Sequence, residues 1–169
     1  MEGLEERGEW HLAISNITVE DDARYQCQVG ATESVAPIRS NYAVVTVLAS
    51  PQPPVITSGP VLSLREDRPR MVQCISKGGK PAASITWRMD GEVVREGVED
   101  KVETVEASKR TITVSSLQLV GQRNMSGSVL QCEATNGAKA ETVSTKIEVK
   151  IFRYLSLCHK EPAKGKKCP

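Results

Sequence analysis

Cys74, Trp87 and Cys132 constrain the folding of this 169-residue chain more than any other feature. The tryptophan follows the first cysteine by thirteen positions, and bridging the two cysteines would close a loop of about 59 residues. In "MVQC", Val72 and Cys74 alternate with outward neighbours, and in "SITWRM" Ile85 and Trp87 do the same. Each segment therefore reads as a strand with one buried face. Two strands with this alternation, an indole and two half-cystines at this spacing point to a pair of stacked sheets. The indole is expected to pack on the inter-sheet bridge.

The surrounding sequence supplies the other strands. Asp90-Gly91 is a tight-hairpin signal. Ile112, Val114, Leu117 and Leu119 are expected on the inner face of the D–E region, and "SVLQCEAT" carries Cys132. Asn136-Gly137 turns the chain, and Val143, Thr145, Ile147 and Val149 alternate along a last strand. The predicted fold class is all-β, an immunoglobulin-like, I-set-like β-sandwich over residues 51–151. One position departs from the usual pattern: Leu130, not tyrosine, stands two residues before Cys132, so packing alone is expected to hold that E–F turn.

Residues 1–50 read as the C-terminal part of a second such unit. In "WHLAISNITVEDDARYQCQVG", Leu12 and Ile14 suit the inner face of a strand E and Ile17 the corner after it. Asp21 shapes the corner, and Tyr25, two residues before Cys27, can send its hydroxyl back to the corner backbone. Alternation then places Tyr25, Cys27 and Val29 inward and Arg24, Gln26 and Gln28 outward, and "YAVVTVLAS" returns as strand G. Strands A to D, with a cysteine for Cys27, are not found before it, so this part is expected to keep hairpin geometry without autonomous stability. "SPQPP", Ser50 to Pro54, reads as a stiff, proline-rich hinge between the two units.

Residues 152–169 break the β pattern and are expected to form a disordered tail. Cys158, His159 and Cys168 lie there, but their spacing matches no structural zinc site, so neither metal nor cofactor is expected. His11 and His159 are the only histidines, and neither stands in a nucleophile or metal motif, which argues against an enzyme and leaves no catalytic residue to nominate. A formal charge of +1 gives no electrostatic basis for nucleic acid or a membrane surface as main partner. No apolar stretch is long enough for a signal peptide or a membrane helix. Asn16-Ile17-Thr18 and Asn124-Met125-Ser126 are N-glycosylation sequons in the two E–F turn regions.

"DDARYQCQVG", the join from "YAVVTVL" to "PPVI", and above all "SKGGKPAASITW" carry a resemblance over roughly residues 9–150. The chain resembles the first and second immunoglobulin domains of the irregular-chiasm, kin-of-irre and nephrin-like adhesion receptors. That resemblance implies a fragment of a membrane receptor's ectodomain on the extracellular side of the plasma membrane. It implies non-catalytic, homophilic or heterophilic binding to other immunoglobulin-superfamily adhesion receptors, and attachment to the membrane through parts of the parent outside this chain. The family docks through the sheet of strands G, F and C, which places Arg24, Gln26 and Gln28 on the candidate adhesion face. An intracellular structural array of the titin type, and the ectodomain of an immunoglobulin-containing receptor kinase, remain as alternatives on shared fold.

Overall fold

The computed structural model describes residues 2–4 and 9–153. In the first part, β1 (Glu2–Leu4) pairs with β2 (Glu9–His11). Next come β3 (Ala23–Tyr25), β4 (Gln28–Val29), β5 (Ile38–Arg39) and β6 (Ala43–Val45). β3 pairs with β6, and β4 with β5, all antiparallel, which makes one hairpin ladder in two pieces. The break falls where Cys27 N–H donates to the Ser40 hydroxyl (3.0 Å) and Ser40 N–H donates to the Cys27 carbonyl (3.0 Å). This hairpin covers the segments read from the sequence as strands F and G.

Strand E differs. No strand runs over residues 12–17, and Leu12 and Ile17 are half-exposed. A strand is held by a ladder neighbour, and β2 finds its neighbour in β1 instead. Leu12 and Ile14 therefore line no inner face.

The second part holds nine strands in two sheets. They are β7 (Val55–Ile56), β8 (Val61–Arg65), β9 (Pro69–Gly79), β10 (Ser84–Met89) and β11 (Glu92–Val94), followed by β12 (Val98–Val105), β13 (Arg110–Val120), β14 (Val129–Asn136) and β15 (Lys139–Phe152). One sheet runs β12-β13-β9-β7 and the other β11-β10-β14-β15-β8. The first strand is split between them: β7 joins β9 antiparallel, and β8 joins β15 parallel. This is an immunoglobulin-like sandwich, with strands A, B, E and D facing A′, G, F, C and C′. Asp90 and Gly91, both at positive φ (51° and 91°), make the tight turn between β10 and β11, a backbone twist that matches the strands it joins.

The core lies between the sheets. Leu62, Leu64, Val72, Leu117, Leu130 and Val149 are fully buried around the Cys74–Cys132 disulfide, and Trp87 is 1% exposed among them. One inner face is half the expected one: Leu117 and Leu119 are buried as expected, Ile112 and Val114 are not. On β13, Thr113, Ser115, Leu117 and Leu119 point inward, while Ile112 and Val114 take the opposite face. Two polar partners account for this. The Trp87 indole N–H donates to the Ser115 hydroxyl (2.9 Å), and the Thr113 hydroxyl donates to the Ala83 carbonyl (3.0 Å). A buried indole needs an acceptor, so hydroxyls displaced aliphatic groups there. Trp87→Phe, which strands the Ser115 oxygen and opens a small void, is expected to lower unfolding free energy by about 1–3 kcal/mol, read from the urea midpoint.

The E–F turn of this sandwich rests on more than packing. A short 3-10 turn at Arg123–Met125 is closed by Met125 N–H donating to the Gln122 carbonyl (3.0 Å). Gly127 N–H donates to the Val149 carbonyl (2.9 Å), and Met125 packs on the core. Backbone bonds thus replace the missing tyrosine.

Candidate interaction surface

The corner before β3 is built by Asp21. Its carboxylate accepts from Thr18 N–H (2.7 Å) and from the Thr18 hydroxyl (3.0 Å), and those bonds hold its pKa below the usual carboxylate value. The Tyr25 hydroxyl donates to the Asp21 carbonyl (2.9 Å), tying strand F to the turn that precedes it. Val19 is buried beneath this corner.

Of the three residues expected on the adhesion face, Arg24 lies on β3, Gln28 on β4, and Gln26 in the break between them. The Arg24 guanidinium lies 4.3 Å from the centre of the Tyr42 ring, a cation–π stack on the outward face. Gln26 donates its side-chain amide to the Ser40 carbonyl (2.8 Å), so it serves the hairpin itself. Gln28 is exposed. The structure thus brings Arg24 and Tyr42 together on an open surface, leaves Gln28 exposed, and engages the Gln26 amide with its own ladder. Tyr42 belongs to no site motif in the sequence; its signal is alternation along strand G, which puts it on the same face as Val44. On the other face, Cys27 is an exposed free thiol, and Val29 and Ile38 are each 61% exposed. Asn16 and Asn124 are both exposed. Cys158, His159 and Cys168 lie outside the described residues, and among the described residues no group of three His, Cys, Asp or Glu side chains converges on a metal position.

The orientation of this surface is set by the join to the sandwich, which is a bonded elbow and not the hinge expected from "SPQPP". Ala49 and Lys80 exchange both backbone hydrogen bonds (2.8 Å each), and Gln52 N–H donates to the Lys77 carbonyl (2.8 Å). The Asn136 side-chain amide donates to the Ala49 carbonyl (2.8 Å). The Asp22 carboxylate takes the Lys80 ammonium at 2.6 Å and Val47 N–H at 2.8 Å, while Lys109 donates to the Asp22 carbonyl (2.9 Å). Lys80 first, then Val47 N–H, holds the Asp22 pKa below its ordinary 3.8. A depressed carboxylate stabilises the folded arrangement above its ordinary pKa and loses that contribution as pH falls through the folded value. The elbow is therefore expected to hold at neutral pH and loosen well below pH 3.8. Residual dipolar couplings of the two parts, recorded against pH, would show it; Asp22→Asn should loosen it at neutral pH.

A disulfide-stapled sandwich preceded by an F–G hairpin with a tyrosine corner defines an immunoglobulin-type protein. Residues 51–143 match the family model of the CD80-like C2-set immunoglobulin domain. The chain is 39% identical over 154 residues to the Irregular chiasm C-roughest protein of Drosophila melanogaster, covering 89% of this chain and 20% of that protein. It is 38% identical over 144 residues to human Kin of IRRE-like protein 3, covering 85% and 18%. It superposes on the crystal structure of Rst D1-D2 with a TM-score of 0.83 at 38% identity, covering 90% of this chain and 74% of that one. The chain belongs to the irregular-chiasm, kin-of-irre and nephrin-like immunoglobulin-superfamily adhesion receptors. It spans about a fifth of the length of these relatives.

Proposed function

We propose that this chain is a recognition module for cell–cell adhesion, acting by non-catalytic binding to other immunoglobulin-superfamily receptors on the extracellular side of the plasma membrane. The likeness to Rst D1-D2 carries this reading, because it runs through both the hairpin and the sandwich at 38% identity. A relative named for adhesion, mouse Cell adhesion molecule 3, is 33% identical over 92% of this chain and 38% of its own length. Physical chemistry agrees with such a role. β3 and β4 each have a ladder neighbour on one side only. A primary amide such as that of Gln28 offers both donor and acceptor, so two copies of one surface can pair without like-charge repulsion. The Cys74–Cys132 bridge suits an oxidising compartment and so favours an extracellular role over the intracellular array. Asn16 and Asn124 are the acceptors this reading assigns to glycans.

Beads coated with the secreted chain are expected to cluster with one another or with beads bearing Rst D1-D2. Gln28→Glu, which sets like charges across a self-paired surface, should weaken clustering about tenfold, equivalent to about 1.4 kcal/mol. Absence of clustering in both mixtures would overturn the proposal.

A further inference from the structure

At the end of the sandwich remote from the elbow, five arginines gather around one aromatic ring. Arg65 ends β8, Arg68 lies in the turn that follows and Arg70 at the start of β9, while Arg123 comes from the E–F turn and Arg153 from just after β15. They line two adjoining open hollows that share Arg65, Arg68, Phe152 and Arg153. Gly121 explains their convergence: a side chain there would collide with the Arg65 carbonyl, and Asp67 N–H donates to the Gly121 carbonyl (3.0 Å). The end of β8 therefore lies directly against the E–F turn.

Glu66 and Asp67 are the acidic groups among these lining residues, leaving a local excess of three positive charges. The whole chain carries only +1, so the cluster is a concentration of charge and not a sample of a basic surface. Glu66 also organises it. Its carboxylate bonds the Arg123 Nε–H and lies 3.5 Å from Arg153 Nε. A guanidinium has five N–H donors, so each arginine so engaged keeps others for an anion. The Arg123 and Arg153 side chains are 70% and 57% exposed, and Phe152, which lines both hollows, is 54% exposed.

We propose that this surface binds a linear sulfated glycan. Guanidiniums recognise the three-oxygen face of a sulfate ester through paired N–H bonds. The exposed Phe152 ring offers the apolar face on which the C–H side of a pyranose can lie. The hollows are open and come from three separate chain segments, which suits a stretch of polymer better than one enclosed small anion. β15 has 14 residues, which places the cluster about 45 Å along the strand from the elbow. Glycan and receptor partner would thus occupy opposite ends of the molecule, and this proposal stands apart from the adhesion reading.

The test is retention of the full secreted chain on heparin-agarose, with the affinity for a heparin dodecasaccharide measured by calorimetry. Binding is expected at about 0.15 M salt, where charges are screened beyond about 8 Å, and it should fall steeply with added salt. Arg68→Glu with Arg153→Glu is expected to weaken it at least about tenfold. Lys77→Glu with Lys139→Glu, the same charge change at the elbow end, should leave it within about twofold. Near-UV circular dichroism would establish that both variants are folded, and Phe152→Ala tests the ring without altering charge. Desulfated heparin and phosphatidylserine vesicles separate sulfate ester from general polyanion. Equal binding to either, equal losses in the two charge variants, or no retention of the native chain would each overturn the proposal.

Discussion

Replacing Cys74 and Cys132 together with alanine, or reducing their bridge, is expected to unfold the sandwich at body temperature. The bridge spans 58 positions between residues that are both fully buried. Closing a loop of that length restricts the unfolded chain by about 4 kcal/mol on the chain-entropy account. Small domains have only about 5–15 kcal/mol in total, so the loss removes a large part of the margin. The bridge also lies with the Trp87 indole in one core cluster, so in the alanine variant the lost sulfurs leave unfilled volume there, and the cost of a cavity adds to the entropic one. The measurement is thermal unfolding followed by near-UV circular dichroism, with and without reductant. A midpoint lowered by many degrees is expected. A reduced protein that kept its near-UV signal at body temperature would show that packing around Trp87 suffices without the staple.

The same frame shows how far the sequence could be read. Cys74, Trp87 and Cys132 were legible because a covalent bond and the largest side chain impose fixed spacings on any sandwich that contains them. The tyrosine corner was legible because Asp21 and Tyr25 are four residues apart and complete it locally. The first half of the β13 face was not. Ile112 and Val114 looked inward by apolarity, yet the deciding partners, Trp87 and Ala83, are about 30 residues distant, in hydrogen bonds to Ser115 and Thr113 spanning 28 and 30 positions. Strand E failed for the related reason that a strand depends on a neighbour, and "WHLAISN" carries the pattern without the partner. The elbow was hidden too. "SPQPP" describes local stiffness, whereas the bonds that fix its angle come from Lys77, Lys80 and Asn136. Among the residues proposed for the adhesion face, alternation puts Arg24 and Gln28 outward, where both are exposed, but could not show Gln26 folded back to Ser40. The arginine cluster was invisible for a simpler reason. Its members are distributed over some 90 positions, from Arg65 to Arg153, and only the fold brings them together.

Amide exchange in the F–G hairpin is expected to be at least about a thousandfold faster than in the sandwich core. Exchange at Val72 or Leu117 requires opening of a region whose stability approaches that of the whole domain, whereas a strand with little buried surface opens locally at small cost. Val29, Ile38 and Val44 are 61%, 61% and 69% exposed, and β3 through β6 pair only within their own hairpin. Two-stranded ladders without a packed face are marginal in water. The elbow bonds at Asp22 and Ala49 anchor the base of the hairpin but bury none of these side chains. An opening cost lower than that of the core by about 4 kcal/mol corresponds to roughly a thousandfold in rate when exchange follows the open population. Val29 and Val45 should therefore exchange early, and Val72 and Leu117 late, in a single deuterium time course. A binding partner that covers the hairpin should slow Val29 selectively while leaving Leu117 unchanged, since it adds burial at the hairpin alone. Equal protection at Val29 and Leu117 in the isolated chain would mean the hairpin is stable on its own bonds, with no dependence on a covering surface.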